Sequence, residues 1–383
     1  MCDEMKILLA LSGFKSSLGS LQACEAAEIG LRQQMPGAQI ILFPVSDGGD
    51  GLLEAVAGRI KARRVELTAS GPMELTTPVE YLLFERQKKK VAIIESAKIC
   101  GVSLVAKARR YPMLATSRGV GTVIRHAMGR RAKTIYVGVG GTATQDGGAG
   151  MAQALGVGLL DGMGKQIGFG CGWLGALASI DLKKRDPRFK KVEIFVLADV
   201  VNPLLGPQGT ARVYASQKGA LPDQIASIEA NLEHLAHIIK RDVGIDAAKM
   251  PGAGAGGGLG AGLAAFCNAK ILPGAETLLD MLGAKQLIER SDIVIVGEGR
   301  LDRQTLYGKA PYALAKHART AGKKVYGLFG QIEPGHARLA GQLGLDGHRE
   351  VAAFAPNLEA AMTQASACLI RAASALATDF SSG

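Results

Sequence analysis

The chain of 383 residues carries 45 basic and 34 acidic side chains, a formal net charge of +11, and 48% hydrophobic residues with only 5% aromatics. This composition excludes a disordered chain and indicates a packed aliphatic protein long enough for two domains. The basic residues form short, dispersed clusters without interleaved aromatics, which favours small anionic ligands over a nucleic-acid partner.

Six cysteines are scattered along the chain without the paired spacing of a zinc site. No apolar stretch reaches the roughly 18 residues needed to cross a bilayer, and no basic segment followed by an apolar one opens the chain. We therefore expect reduced thiols, no membrane partner and a soluble cytoplasmic protein.

The first predicted elements are two βα units. A strand ends at Leu11 and is followed by a turn that contains Ser12 and Lys15 and then by a helix. A second strand near residues 39–45 leads into a turn with Asp47 and then into another helix. Further βα units occur at the other end of the chain, with strands at 292–297 and 324–329.

The sequence pattern changes in the middle of the chain. Glycine-rich segments there separate the strands predicted at 78–84, 91–95, 134–140 and 192–198. We therefore predict an α/β fold with two α/β domains. Residues 1–70 and 286–383 would form a discontinuous, doubly wound domain of the Rossmann or flavodoxin type. Residues 71–285 would form an inserted glycine-rich α/β domain, with the active site in the cleft between the two.

Five of the apolar strands end in glycine next to a carboxylate, and these acids are Asp47, Glu95, Asp146, Asp199 and Glu298. Open α/β sheets bind their ligands at the carboxyl ends of the strands. Glycine amides there can approach a phosphate, and acids at the same edge can hold Mg²⁺ or accept a proton. The pattern predicts a phosphate-handling enzyme, although the P-loop and protein-kinase motifs are missing from the sequence.

The turn after the strand at 134–140 is a candidate ligand loop with two competing interpretations. Gly138, Gly140 and Ala143 match the dinucleotide pattern GxGxxA, which suggests an NAD site, or they simply allow a helix to pack on the sheet. The following residues suit a phosphate or metal site better, and the binding candidates here are Gly140, Gly141, Thr142, Thr144 and Asp146.

Two later segments give further candidates. In the run PGAGAGGGLGAG, Gly256 and Gly257 precede a helix, so this loop either binds an anion or serves as an interdomain hinge. Asp199 and Asn202 follow a strand, and their spacing suits hydroxyl activation or a stabilised turn.

Four basic side chains are further candidates for binding an anionic ligand. Arg300 stands between Glu298 and Asp302, either at a ligand site or in an ion-paired loop. Lys15, Lys218 and Lys309 lie beside small residues rather than in a charged run, so they are candidate phosphate or carboxylate ligands.

Taken together, these segments resemble the class I glycerate kinase family, and the resemblance covers nearly the whole chain in one collinear order. The matching stretches are SGFKSSL, PVSDGGDG, ESAKICGVSL, TSRGVGTVI, GVGGTATQDGGAGMAQALG, ADVVNPLLGPQGTARVYASQKGA, GAGAGGGLGAGL and GEGRLDRQTLYGKAP. The resemblance implies transfer of the γ-phosphoryl of ATP to a hydroxyl of D-glycerate, usually the 2-hydroxyl, with Mg²⁺ required.

The site residues can be assigned roles in that chemistry. Asp199, Lys15 and Lys218 are the catalytic candidates. Substrate or phosphate would contact Ser12, Lys15, Asn202, Gly140, Gly141, Thr142, Thr144, Gly256, Gly257 and Arg300. The metal candidates are Asp47, Asp146 and Glu298. A homodimer is one option for the assembly, and the expected partners are glycerate and ATP.

The first motif departs from the family pattern. Members usually carry Asp-Ser before the Phe-Lys pair, whereas this chain has Ser12 and Gly13 there. Milder replacements occur at Ser46, Asp50, Thr142 and Gln145. Three alternatives stay open: the missing carboxylate suggests a binding protein without turnover, the match at Gly138, Gly140 and Ala143 suggests an NAD(P)-dependent oxidoreductase of a small hydroxy acid, and a kinase of another small hydroxy acid fits the same resemblance.

Overall fold

A computed structural model of the chain describes residues 5–14, 17–46, 48–302, 305, 308–333, 335 and 337–382. The strands are β1 (Lys6–Leu11), β2 (Gln39–Leu42), β3 (Arg63–Ser70), β4 (Thr76–Arg86), β5 (Lys89–Glu95), β6 (Thr134–Gly138), β7 (Gly158–Leu160), β8 (Ser179–Asp181), β9 (Glu193–Leu197), β10 (Lys270–Leu272), β11 (Ile293–Leu301), β12 (Lys324–Ile332) and β13 (Gly347–Glu350). The helices are α1 (Ser20–Gln34), α2 (Leu52–Ala57), α3 (Ala97–Cys100), α4 (Arg118–Gly129), α5 (Ala149–Ala154), α6 (Thr210–Tyr214), α7 (Pro222–Val243), α8 (Leu259–Cys267), α9 (Gly274–Met281), α10 (Ala284–Glu289), α11 (Ala310–Thr320), α12 (Ala337–Gln342), α13 (Leu358–Thr363) and α14 (Ala365–Ala377).

The chain divides into two compact units. Unit 1 comprises Met1–Asp47, Glu54–Lys61 and Ala275–Gly383, and unit 2 comprises Gly48–Leu53 and Ala62–Gly274. The domain limits expected from the sequence were residues 70/71 and 285/286. In the structure β3 pairs antiparallel with β4, so residues 63–70 belong to unit 2.

Unit 1 contains an entirely parallel five-stranded sheet in the order β2-β1-β11-β12-β13. Numbered within the sheet, this order is 2-1-3-4-5, the doubly wound arrangement of flavodoxin. The strands β1 and β11 are buried apolar runs, as expected for a sheet covered on both faces. The prediction of a flavodoxin-like sheet built from both ends of the chain is therefore confirmed.

Unit 2 contains a six-stranded mixed sheet in the order β10-β9-β6-β5-β4-β3. The strands from β10 to β5 are parallel, and β4 and β3 extend the sheet antiparallel. The β4–β5 hairpin closes through Gln87 and Lys88, which both have positive φ angles as a tight two-residue turn requires. A small antiparallel pair, β7 and β8, stands apart from this sheet.

The carboxyl ends of the parallel strands position the candidate residues. In unit 1 the chain leaves β1 and β11 side by side, and this neighbouring pair is the point at which the strand order reverses. Ligands bind at such switch points in doubly wound folds.

Among the described helices, none combines the length and the apolar character needed to span a membrane.

Candidate active site

Ser12 lies at the switch point of the unit 1 sheet. Its backbone N–H and its hydroxyl donate to the Gly297 carbonyl oxygen at 2.9 and 3.2 Å, so the turn after β1 is attached to β11. The strand β12 approaches Gly297 closely, because a Cβ there would lie 2.0 Å from the Leu328 carbonyl oxygen. Two predicted site residues of this unit, Lys15 and Asp47, lie outside the described residues.

Glu298 follows at the same edge and is only 7% exposed. Its carboxylate accepts a hydrogen bond from the Thr305 hydroxyl at 2.7 Å and lies 3.2 Å from the Lys309 ammonium. The same ammonium is 3.8 Å from the Asp302 carboxylate. A single cation is therefore shared by two acids beside a hydroxyl. The sequence showed Asp302 and Lys309 near this loop, but Thr305 carried no recognisable signal.

Arg300 points to a different partner from the one expected. It forms an ion pair with Glu333 at 2.9 Å, and the two side chains are 55% and 34% exposed. Solvent screens such a pair, which makes it weak and easily exchanged. The arginine can therefore release Glu333 when a stronger anion is offered.

Lys218 is the central cation of unit 2 and is only 6% exposed. Its ammonium donates to the Thr142 hydroxyl at 3.2 Å and to the Thr144 carbonyl oxygen at 2.8 Å. Burial lowers the pKa of Lys218 to about 8, although the nearby Cys100 and Asp146 act in the opposite direction. No carboxylate among the described residues lies within ion-pair distance of this ammonium.

Asp146 is completely buried, and backbone donors surround it. One carboxylate oxygen accepts from the Ser117 N–H, the Ser117 hydroxyl and the Gly150 N–H, at 2.8, 2.9 and 3.2 Å. The other accepts from the Gly148 N–H at 3.1 Å. Burial raises the pKa of Asp146, and these donors oppose the rise. The geometry is that of a carboxylate that organises a loop, and Asp146 is not kept among the metal ligands proposed below.

The candidate glycines are positions where two backbones meet. A Cβ on Gly140 would lie 2.6 Å from the Gly49 Cα, and one on Gly257 would lie 1.7 Å from the Thr144 carbonyl oxygen. The Thr144 hydroxyl also donates to the Gly256 carbonyl oxygen at 3.3 Å. The dinucleotide-like turn at Gly138–Gly141 is thus covered by the chain's own residues 48 and 49, which leaves little room over its first glycines for a pyrophosphate.

Asp199 and Asn202 lie just beyond β9. Asp199 is half-buried, and the preceding Ala198 N–H donates to the Leu272 carbonyl oxygen, which ties the strand end to β10. The Asn202 side chain donates to the Gln208 carbonyl oxygen and accepts from the Tyr214 hydroxyl, both at 2.8 Å. Asn202 therefore stabilises the loop, while Asp199 occupies the strand-end position that the sequence predicted.

Glu95 has a positioning role that the sequence analysis did not assign. It is 2% exposed, and its two carboxylate oxygens accept from the N–H groups of Gly51 and Leu53 at 3.1 and 2.9 Å. These N–H groups open α2, so the acid stabilises the first turn of that helix. The two bonds join residues 44 and 42 positions apart, which no local pattern could indicate.

The structure thus brings the predicted residues together in two groups, each within one unit. In unit 2, Lys218 connects Thr142 with Thr144, and Thr144 continues to Gly256. In unit 1, Glu298 and Asp302 share Lys309. Among the residues that the structure describes, no group of three or more His, Cys, Asp or Glu side chains is arranged to hold a metal ion.

Comparison with known proteins gives a consistent result. The sequence model of the glycerate kinase family matches residues 7–381. The chain is 41% identical over 367 residues to a glycerate kinase of Halalkalibacterium halodurans, covering 96% of each protein. It is 40% identical over 328 residues to the glycerate 2-kinase of Escherichia coli, covering 86% of each.

The fold comparison agrees with the sequence comparison. A crystal structure assigned as glycerate kinase 2 of Salmonella typhimurium superimposes with a TM-score of 0.80 at 36% sequence identity, covering 99% of both chains. Both the sequence and the fold therefore match over nearly their full length, and the chain belongs to the glycerate kinase family.

Proposed function

We propose that this protein is an ATP- and Mg²⁺-dependent kinase that phosphorylates the 2-hydroxyl of D-glycerate. The observation that carries the proposal is the 40% identity to a glycerate 2-kinase across 86% of both chains, since it supports the acceptor as well as the reaction class. The five described cysteines are all buried and free, which suits a reducing cytoplasm.

Asp199 is the proposed general base. Its carboxylate would accept the proton of the 2-hydroxyl as the bond from that oxygen to the γ-phosphorus forms and the bond from the γ-phosphorus to the β,γ-bridging oxygen breaks, so that ADP leaves. Phosphoryl transfer depends mainly on positioning and charge neutralisation, and a half-buried acid after a strand is held in position by its backbone.

Lys218 is the proposed phosphate-binding cation of unit 2. Its partners Thr142 and Thr144 supply neutral oxygens, so its positive charge is not cancelled by an acid at hydrogen-bond distance. A buried ammonium of this kind interacts strongly with an anion that reaches it, because little solvent screens the charge. Lys15 remains a proposed contact for the same phosphates or for the glycerate carboxylate.

The carboxylates at the end of β11 fit the needs of Mg²⁺. This ion prefers oxygen ligands and is commonly bound through one or two carboxylates together with water and substrate phosphates. Glu298 and Asp302 supply such oxygens around the exchangeable ammonium of Lys309, and Asp47 stays a further candidate. Bound Mg²⁺ would neutralise the phosphate charge during transfer.

Arg300 and Ser12 are the proposed contacts that distinguish substrates. Arg300 would exchange Glu333 for a phosphate or carboxylate oxygen. Ser12 replaces an acid of the family pattern, and its hydroxyl donates to the Gly297 carbonyl oxygen, so it offers a neutral oxygen where a charge is expected. We propose that this replacement still permits glycerate binding.

The decisive experiment is to measure ADP release from ATP and Mg²⁺ with and without D-glycerate and to identify the product by phosphorus NMR. Glycerate-dependent ADP together with a 2-phosphoglycerate signal is expected. A 3-phosphoglycerate signal would retain the kinase and correct the site of attack. Absence of glycerate-dependent ADP would contradict the proposal, and enhanced NADH fluorescence on mixing would then favour the oxidoreductase.

A further inference from the structure

A basic cavity lies beside α4, and none of its lining residues is a site residue named above. Its volume is about 530 Å³, and all of its lining belongs to unit 2. Three of its side chains are cations, Arg118, Arg125 and Lys184, and only one is an acid, Asp181. Small-ligand sites have volumes in this range.

The cations of this cavity are not neutralised by directly paired carboxylates, although Arg125 acts at longer range on Asp186 and helps to lower the pKa of that acid. Within the described ranges of the chain, none of the three forms an ion pair, whereas the neighbouring Arg188 pairs with Asp186. The Asp181 carboxylate already accepts from the Lys183 N–H at 2.8 Å. The cavity therefore carries an excess of positive charge, and the neutral polar groups around it do not balance that charge.

One wall of the cavity holds Arg118 in position. The Arg118 guanidinium carbon lies 4.6 Å from the centre of the Phe169 ring, a cation–π arrangement that orients the guanidinium. The segment that precedes Phe169 is fastened by two hydrogen bonds, because Gln153 donates to the Ile167 carbonyl oxygen at 2.8 Å and Gln166 accepts from the Leu159 N–H at 3.2 Å. An arginine ordered in advance loses less entropy when it binds an anion.

The spacing of the arginines indicates the kind of ligand. Arg118 and Arg125 are seven residues apart on α4, which places them on one helix face about 10 Å apart along the axis. Arg125 and Thr122 also line an adjoining cavity of about 680 Å³ that contains Arg130. An anion with a single charged group can reach only part of this row, and one with two groups can engage more of it.

We propose that this face of α4 binds a small organic or inorganic anion with at least two phosphoryl or carboxylate groups, at a site separate from catalysis. A nucleic acid fits less well, because Arg118 already covers one face of the Phe169 ring and the lining of the cavity includes no second aromatic residue. The proposal goes beyond the kinase reaction, since none of its residues has a role there.

Isothermal titration with inorganic pyrophosphate, in buffer free of divalent metal, tests the site. The double variant Arg118→Gln, Arg125→Gln should bind at least about tenfold more weakly than wild type, since it loses two charge-assisted contacts. The matched control Arg290→Gln removes one exposed arginine of unit 1 and should bind within about twofold of wild type.

Further measurements separate this site from the kinase. Turnover of ATP and D-glycerate should stay within about twofold of wild type in the double variant, as expected for residues away from the reacting groups. Equal pyrophosphate affinity in wild type and double variant would overturn the proposal, as would undetectable binding to wild type or a parallel loss of turnover. If the double variant does not fold, Arg125→Gln and Lys184→Gln singly must each weaken binding.

Discussion

The two units use the same sequence pattern, a carboxylate after a glycine-containing strand, for opposite purposes. Glu298 in unit 1 is held by side chains, the Thr305 hydroxyl and the Lys309 ammonium. Asp146 in unit 2 is held by three backbone N–H groups and one hydroxyl and has no exposed surface. Side-chain partners can move aside for a ligand, whereas backbone donors cannot do so without unfolding the loop.

The lysines of the two units differ in the same way. Lys309 is 22% exposed and lies between the carboxylates of Glu298 and Asp302, so these two negative charges compensate its positive charge. Lys218 is buried against neutral oxygens, so its charge is compensated only in part. The comparison indicates that the charged groups of unit 1, such as Lys309, can change partners when a ligand binds. In unit 2, by contrast, Lys218 is buried in a fixed set of hydrogen bonds, and its burial is unfavourable for the charged form.

Replacing Asp146 with alanine should have the largest effect. The change would leave three buried N–H groups without an acceptor, and at 1–3 kcal/mol for each the free energy of unfolding should fall by about 4 kcal/mol. Urea denaturation measures this loss. Asp146→Asn keeps one acceptor oxygen and should lose less. An Asp146→Ala protein as stable as wild type would contradict the role of Asp146 as the acceptor that holds these N–H groups.

Lys218 should make the stability of the protein depend on pH. Its pKa is about 8 in the folded chain and 10.5 as the ordinary value, so the unfolded chain binds more protons between these limits. The contribution of Lys218 to stability should therefore rise with pH from about 8 to about 10.5, by roughly 3 kcal/mol, while the buried thiols, whose pKa values are raised, act in the opposite direction.

The variant Lys218→Met should lack this rise, and the difference between its urea midpoints and those of wild type, taken at pH 7 and pH 10.5, isolates the effect. The exposed Lys191, replaced by methionine, is the matched control and should follow wild type. A rise that persists in Lys218→Met would show that another group titrates.

Part of this arrangement could be predicted from the sequence because it is local. Apolar runs that end in glycine next to a carboxylate predicted the strands β2, β5, β6, β9 and β11, and the flavodoxin-like sheet followed from βα units at both ends. The tight hairpin between β4 and β5 is likewise encoded by neighbouring residues, although Gln87 and Lys88 are not the usual turn residues.

The rest depends on contacts between distant residues. A strand-end acid looks the same in the sequence whether its partner is an ammonium, as for Glu298, or backbone N–H groups, as for Asp146. The link from Glu95 to Leu53 and the close approach of Gly257 to Thr144 depend on how loops meet. Such contacts decide which candidate can meet a ligand, and no periodicity reports them.

Replacing Asp199 with asparagine tests whether this residue acts in the reaction or only stabilises the fold. Turnover of D-glycerate should fall at least about 100-fold, equivalent to roughly 2.7 kcal/mol in the activation barrier, because a general base contributes about that much. The urea midpoint should stay near that of wild type. The control Asp223→Asn removes an exposed acid from the start of α7 and should keep full turnover. Turnover near wild type in Asp199→Asn would remove that residue from the mechanism.

Lys309→Met should have a smaller effect that falls on function more than on stability. The pair with Glu298 is partly exposed, so after discounting for solvent the loss in unfolding free energy should be about 1–2 kcal/mol. If Glu298 and Asp302 hold Mg²⁺, the concentration of Mg²⁺ that gives half-maximal turnover should change as well. Lys316→Met on an exposed part of α11 is the control. An unchanged Mg²⁺ dependence would separate Lys309 from the proposed metal site.

Arg300→Gln should have the smallest effect on stability and for that reason gives the clearest test of an exchangeable charge. Its ion pair with Glu333 is exposed, so the unfolding free energy should change by less than about 0.5 kcal/mol. If Arg300 binds a phosphate or carboxylate oxygen, KM for ATP or for D-glycerate should nevertheless rise, by about tenfold for one charge-assisted contact. The variant Glu333→Gln frees the arginine without removing it and should leave KM unchanged or lower it. If both variants raise KM equally, the ion pair itself orders the loop. Arg300 then stabilises the loop instead of binding a ligand, as Asp146 does in unit 2.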